Sequence, residues 1–184
     1  MATPPAPISS KMLILALLGL ITAVAGGAVV MLYLGAFDDP EVTRQTTQDY
    51  RIAYIEHKGA YSNIEPILAQ VAEHLKTAEI EPGTPCALYL NSVSEVAEEE
   101  RISRIGYIVG RADYIPSPLD ELVISSREVA VATFEGGTLL GSHKAYKAMR
   151  EWSRANGYKL SLPALEIYHT NGVVEYQLPI HKQY

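Results

Sequence analysis

Hydrophobic and polar positions divide the chain into two unlike parts. Residues 12–37 are predominantly apolar and contain no Asp, Glu, Lys or Arg, whereas the rest of the chain after them alternates short apolar runs with polar and turn-forming residues. As a helix this segment would be roughly 39 Å long at about 1.5 Å per residue, enough to cross about 30 Å of hydrocarbon. The pattern therefore predicts a membrane-spanning helix at residues 12–37, preceded by an N-terminal tail at residues 1–11.

A cleaved signal peptide is the alternative for this segment. Ala23-Val24-Ala25 has the small-residue pattern of a cleavage site. The apolar run, however, continues well beyond that site to Phe37. We therefore expect an anchor that stays on the protein.

Small residues recur along one face of the predicted helix, at Gly19, Ala23 and Gly27. Such a face lets a second helix approach closely within lipid, so it is a candidate surface for packing against other membrane subunits. The alternative is that Gly and Ala are simply common in membrane helices. The sequence leaves both open.

Basic residues flanking the helix bear on its orientation. Lys11 precedes the apolar segment, and the first bases after it are Arg44 and Arg51. Because the nearest base lies on the N-terminal side, the positive-inside rule favours a cytoplasmic N-terminus. The soluble domain is then expected on the extracytoplasmic (periplasmic) side.

After the predicted helix, residues 38–49 are polar and turn-prone, which predicts a linker before a domain at residues 50–184. The domain reads as two similar halves, each a strand, a helix and two strands. In the first half these elements are predicted at residues 51–57, 62–78, 86–91 and 102–110. In the second half they are predicted at residues 128–134, 139–155, 165–169 and 173–178, the last two joined by the Asn171-Gly172 turn.

The two halves also align residue by residue. At an offset of 77, Gly59 meets Gly136 and Leu75 meets Trp152, and at an offset of 78 Leu88 meets Glu166. A duplicated β-α-β-β unit predicts an α+β domain, with two helices on one side of an antiparallel sheet and a pseudo-twofold axis between the halves. The groove between the halves is then the expected ligand cleft.

Composition excludes several classes of function. The 184 residues carry a net charge of −6, the wrong sign for an electrostatically driven nucleic-acid binder. A single cysteine, Cys86, excludes an intrachain disulfide, and the five histidines show no metal-ligand spacing. No phosphate-binding or dinucleotide-binding motif is present. We expect no metal, no cofactor and no nucleic-acid partner.

Three motifs in this order resemble a known family. They are EHKGAYSNI at residues 56–64, VAEEER at residues 96–101 and PALEIY at residues 163–168. The pattern is similar to GyrI-like domains, the effector-binding domains of AraC-type and multidrug-responsive regulators, which also occur alone or behind a membrane anchor. The resemblance covers about residues 50–181.

That resemblance implies a role for Glu166. In the family an acid at this place lies at the bottom of the cleft and pairs with cationic aromatic ligands, or serves as an acid/base in a hydrolase-like branch. The residues point the same way, because a carboxylate among apolar strand residues is costly to bury without a partner. Two alternatives remain: strand alternation places Glu166 on the solvated face, or tyrosine hydroxyls simply satisfy it.

Aromatic residues are abundant enough to wall such a cleft. Aromatic faces hold organic cations by stacking and cation–π contact, although most buried aromatics are only core. The aromatic residues expected nearest the cleft are Tyr54, Tyr89, Tyr107, Trp152 and Tyr168.

One loop departs from the family pattern. Where the second half should repeat His-x-Gly-Pro-Tyr, the chain has Phe-Glu-Gly-Gly-Thr at residues 134–138. The missing histidine and tyrosine argue against an activity that depends on this loop. Plain binding is unaffected, and we do not expect a catalytic residue.

Three functions are compatible with these features. The leading hypothesis is a single-pass, non-catalytic accessory subunit of a membrane protein complex, of which a respiratory or photosynthetic complex is one type. The second is a membrane-tethered binder or sensor of cationic hydrophobic small molecules, and the third is a hydrolase of reactive xenobiotics. No segment is left for a DNA-binding domain, so a DNA-binding regulator is not expected.

Overall fold

A computed structural model describes residues 10–33, 40–62, 64–110, 114–135 and 138–183. The chain divides into two compact units, Met1–Asp38 and Asp39–Tyr184.

The first unit contains helix α1 (Ser10–Tyr33), which is long and apolar enough to cross a membrane. The hydroxyl of Thr22 donates a hydrogen bond of 2.8 Å to the Leu18 carbonyl, so this polar group is satisfied within the helix. A Cβ added at Gly19 or Gly27 would meet nothing within 4 Å. The packing role expected for the Gly19, Ala23 and Gly27 face therefore stays a prediction, as does the membrane orientation.

The second unit is an antiparallel sheet with two helices. Its strands are β1 (Val42–Thr46), β2 (Tyr50–Lys58), β3 (Thr84–Tyr89), β4 (Ile102–Ile108), β5 (Asp120–Ile124), β6 (Glu128–Glu135), β7 (Tyr158–Leu160), β8 (Ala164–Tyr168) and β9 (Val173–Lys182). The helices are α2 (Glu65–Thr77), α3 (Thr138–Ala155) and a single 3-10 turn at Glu98–Glu100. The sheet order is β1-β6-β9-β8-β3-β4-β2-β5, and β7 pairs with β9.

The α+β fold expected from the sequence is confirmed, and its strand order is symmetric about the β8–β3 pair. In each half, two strands precede the helix; β3 and β4 follow α2 in the first half, and the short β7 followed by β8 and β9 comes after α3 in the second. The first strands are exchanged: β1 pairs with β6 of the second half, and β5 pairs with β2 of the first half. The two halves are thus joined both at the centre of the sheet and through their exchanged outer strands.

The exchanged strand β1 lies within residues 38–49, where the sequence predicted a linker. Residues Val42–Thr46 are strand β1, with Val42 opposite Ala132 and Thr46 opposite Glu128. Four of its five residues are exposed, because β1 is an edge strand with little apolar surface to bury. A strand of this composition has no hydrophobic alternation, and for that reason the sequence pattern resembled a linker.

The register at the centre of the sheet corrects one detail of the alignment between halves. Glu166 lies opposite Ala87, and Leu88 lies opposite Leu165. Because successive strand residues point to opposite faces, Leu88 and Glu166 are on different faces and are not structural counterparts. An odd offset places counterpart residues of the two halves on the same face of the sheet. At an offset of 79, Tyr89 corresponds to Tyr168.

The two faces of the sheet have separate cores. Both helices cover one face, where buried residues of α3 such as Ala145 and Met149 pack on the sheet. The other face is concave and includes Cys86, whose thiol pKa burial raises to about 12. The curvature of this face is evident from the side chains of Tyr50 and Gln177. They form a hydrogen bond of 3.0 Å although three strands separate β2 from β9.

Candidate functional site

Glu166 lies in the middle of β8 on the helix-covered face, with only 7% of its surface exposed. Its cross-strand neighbours are Ala87 on β3 and Tyr176 on β9. Strand alternation therefore places the carboxylate inside the domain and not on the solvated face. The small side chain of Ala87 leaves room on one side, and the large ring of Tyr176 lies on the other.

Two tyrosine hydroxyls hold the carboxylate. Tyr146 on α3 donates to Oε1 of Glu166 at 2.9 Å, and Tyr168 donates to Oε2 at 3.0 Å. The hydroxyl of Tyr168 also lies 3.2 Å from that of Tyr89. A chain of hydrogen bonds thus runs from the helix through Glu166 to the first half of the domain. Hydrogen bonds to an ionised acceptor are among the strongest in proteins.

The charge of Glu166 has no cationic counterpart among the residues that the structure describes. No Lys, Arg or His side chain of the described residues lies within 4.0 Å of it. Burial raises the pKa of the carboxyl to about 7, although the hydrogen bonds from Tyr146 and Tyr168 favour the ionised form. The side chain is therefore close to half ionised at neutral pH, which is unusual for a glutamate.

The surrounding phenols remain protonated donors. Burial, followed by the nearby Glu166 charge, raises the pKa of Tyr89, Tyr146, Tyr168 and Tyr176 above the ordinary range of a phenol. They supply neutral dipoles to the carboxylate and not charge.

Aromatic rings enclose Glu166 in what we call the tyrosine cluster, formed by Tyr61, Tyr89, Tyr146, Tyr168 and Tyr176. The rings of Tyr61 and Tyr89 lie 4.5 Å apart, and those of Tyr146 and Tyr176 lie 5.7 Å apart, edge to face. The buried hydroxyl of Tyr176 has no hydrogen-bond partner among the described residues. The cluster therefore combines ring faces, one carboxylate and one unpaired hydroxyl.

The structure brings together three of the six residues expected at the cleft: Glu166, Tyr89 and Tyr168. The other three have different neighbours. Tyr54 belongs to the concave-face core, and Tyr107 packs with the cluster around Val71 and Leu75 of α2. Trp152 packs against the same core as Tyr89, but its ring stacks on Tyr158 with centroids 5.6 Å apart. Strand parity explains Tyr54, because its register partner Gly106 faces away from the helices.

Sequence reasoning missed Tyr146 and Tyr176 as site residues. A two-residue turn at Asn171-Gly172 would pair Glu166 with Gln177, but the loop holds one residue more and pairs it with Tyr176. Gly172 has a φ of +82°, the left-handed conformation typical of such three-residue loops. Tyr146 lies on the side of α3 that packs on the sheet, and no sequence signal indicated which strand residue it meets.

Comparison with known proteins assigns the domain. The family model of the GyrI-like small-molecule-binding domain matches residues 40–181. The chain belongs to this family. The match begins just before β1, so the GyrI-like domain includes the strand that the sequence pattern presented as a linker. No curated protein sequence matches the chain.

Solved structures share the GyrI-like fold. The C-terminal domain of EcmrR superposes with a TM-score of 0.65 at 15% identity, covering 78% of this chain and 99% of that one. EcmrR in a complex with DNA gives a TM-score of 0.64 at 12% identity, covering 94% and 70%. A protein bound to tetraphenylphosphonium gives 0.54 at 11% identity, covering 77% and 94%. At these identities the likeness concerns the fold.

In the described part of the chain, no group of three or more His, Cys, Asp or Glu side chains is arranged to hold a metal ion.

Proposed function

We propose that this GyrI-like domain binds organic cations with large apolar or aromatic groups at Glu166 and the tyrosine cluster. The observation that carries the proposal is the buried Glu166 carboxylate, which has neutral hydrogen-bond donors on both oxygens and no cation beside it among the described residues. A buried charge without a counterion is costly. A cationic ligand would offset that cost.

The hydrogen-bonding state of Glu166 favours one kind of cation. A primary ammonium has three N–H donors that each need an acceptor, whereas a quaternary or phosphonium cation needs none. Both oxygens of Glu166 already accept a tyrosine hydroxyl, and the remaining surface is mostly ring faces. Such faces attract diffuse positive charge. A similar fold binding tetraphenylphosphonium supports the same ligand class.

Entry of a ligand must displace a ring, because Glu166 is almost fully covered. Tyr61 is suited to this movement, since it is only partly buried and packs on Tyr89. Its hydroxyl proton is shared between the carbonyl oxygens of Asn91 and Ile102, at 3.0 and 3.2 Å, and its oxygen accepts from the Asn91 N–H at 3.1 Å. These bonds hold the closed position. We infer that Tyr61 swings out when a cation binds.

Calorimetric titration of the full chain in zwitterionic nanodiscs with tetraphenylphosphonium tests the proposal. Replacing Glu166 with Gln keeps the size of the side chain and removes its charge, so affinity should fall by about 10- to 100-fold. Glu73→Gln, the same change on an exposed part of α2, is the matched control and should bind as the wild type does. Equal affinity in Glu166→Gln and the control would refute the cation site.

Helix α1 would tether this binding domain to a membrane, with the domain on the extracytoplasmic side. The accessory-subunit hypothesis remains a prediction that the comparisons do not address, and so does the hydrolase hypothesis. Purification in a mild detergent tests the former, since a stoichiometric partner should remain bound. A single-species monomer would argue against it.

A further inference from the structure

The concave face of the sheet holds a cavity, on the side away from α2 and α3. Its volume is about 400 Å³, within the range of small-molecule sites. Its apolar lining includes Leu88, Leu90, Leu122, Ile124, Leu162 and Pro163. The sheet itself separates this cavity from Glu166, because Leu88 and Glu166 lie on opposite faces.

Arg104 supplies the charge in this lining. It lies opposite Leu88 in the sheet, its guanidinium is 5.2 Å from the centre of the Tyr54 ring, and its Nε donates to Glu56 at 3.2 Å. The bond to Glu56 engages only Nε. Within the described ranges, Nη1 and Nη2 of Arg104 have no hydrogen-bond partner, so two adjacent amino groups remain available in the planar geometry that suits a carboxylate.

The mouth of the cavity is apolar and open to solvent. Leu162 is 41% exposed and Val123 is 58% exposed, and both belong to the lining. Single exposed apolar residues are common on protein surfaces. These two, however, border the same cavity, whose inner wall continues to the buried side chains of Leu88 and Ile124. An apolar group entering here would cover surface at the mouth and contact buried surface inside.

We propose that this concave-face cavity binds amphipathic monocarboxylates. The carboxylate accepts hydrogen bonds from Nη1 and Nη2 of Arg104, and the apolar body lies along Leu88, Leu122 and Leu162. This site goes beyond the proposed cation site and does not depend on it, because the two use opposite charges on opposite faces of the sheet. The domain would then respond to ligands of either charge.

Calorimetry with 2-naphthoate tests this site, using the full chain in zwitterionic nanodiscs and empty nanodiscs as the blank. The neutral isostere 2-naphthamide should bind at least tenfold more weakly than naphthoate. Arg104→Gln should remove that difference, whereas Arg150→Gln, an exposed arginine on α3, should retain it. Glu166→Gln should leave naphthoate affinity within twofold, which separates this proposal from the cation site.

The fluorescence of the single tryptophan, Trp152, would reveal a loss of folding in Arg104→Gln. A second variant tests the proposal independently of that outcome. Leu162→Glu changes an exposed side chain and adds a repelling charge at the mouth, so naphthoate affinity should fall at least tenfold. Failure of naphthoate to bind, equal binding of the amide, or unchanged affinity in Leu162→Glu would overturn the proposal. Loss of naphthoate binding in Glu166→Gln would also overturn it.

Discussion

The hydroxyl of Tyr146 on α3 donates a 2.9 Å hydrogen bond to Oε1 of Glu166 on β8. This bond joins a helix to the centre of the sheet at the one buried carboxylate among the described residues. Because the donor is neutral, it satisfies the oxygen without cancelling the charge. Both oxygens of Glu166 therefore accept a hydrogen bond while its charge stays unbalanced, which is the property expected of a receptor for a cation without N–H donors.

Cation binding should strengthen as pH rises. With a pKa of about 7, Glu166 is about one-tenth ionised at pH 6 and about nine-tenths ionised at pH 8. The affinity for tetraphenylphosphonium should therefore be about tenfold higher at pH 8. Titration calorimetry at both pH values measures the ratio. Glu166→Gln should show no such dependence, and a wild-type affinity that is equal at both pH values would contradict the assignment of the charge to Glu166.

The stability of the empty domain should change in the opposite direction. Burial raises the pKa of Glu166 from its ordinary value of 4.5 to about 7, so the folded state holds a proton that the unfolded state releases. The resulting stabilisation is complete below about pH 4.5 and is lost as pH rises through about 7. This group should contribute about 3 kcal/mol less to the free energy of unfolding at pH 8 than at low pH.

Urea unfolding followed by the fluorescence of Trp152 measures this contribution, since the only tryptophan lies in the GyrI-like domain. The comparison is made between the wild type and Glu166→Gln at pH 5 and pH 8. The variant should gain stability relative to the wild type as pH rises. A difference between the two proteins that does not change with pH would mean that Glu166 titrates at its ordinary value.

Gly106 should be essential for the packing of β2 on β4. A Cβ at this position would lie 1.9 Å from the carbonyl oxygen of Ala53, which is backbone and cannot move aside cheaply. Gly106→Ala should cost about 3 kcal/mol or more of unfolding free energy. Gly110→Ala, four residues along in the chain, meets nothing within 4 Å and should change stability by about 0.5 kcal/mol at most. Thermal unfolding of the two variants provides the measurement, and similar melting temperatures would be inconsistent with this close contact.

Glu166 and its motif were predictable because they are local features. The apolar neighbours Leu165 and Ile167 indicated a buried strand, and the family resemblance pointed to the acid between them. The same reasoning failed for Tyr54, whose position depends on which face of β2 meets the helices. A period-of-two pattern gives the alternation but not the face when both faces of a strand are buried.

The exchanged strands show a second limit. Val42–Thr46 and Asp120–Ile124 are short edge strands, whose partners lie in the opposite half of the domain. A strand of five residues does not identify a partner that is distant in the chain, because an edge strand buries little apolar surface.

The sequence alone predicted the apolar helix, the duplicated α+β frame, the GyrI-like resemblance and the candidate acid Glu166. Each of these follows from composition, periodicity or a short motif. Tertiary structure decided the rest: the bonds from Tyr146 and Tyr168 to Glu166, the register that places Tyr176 opposite it, and the cavity beside Arg104. These depend on strand register, loop length and sheet curvature, which arise only when distant segments compete to bury the same surface.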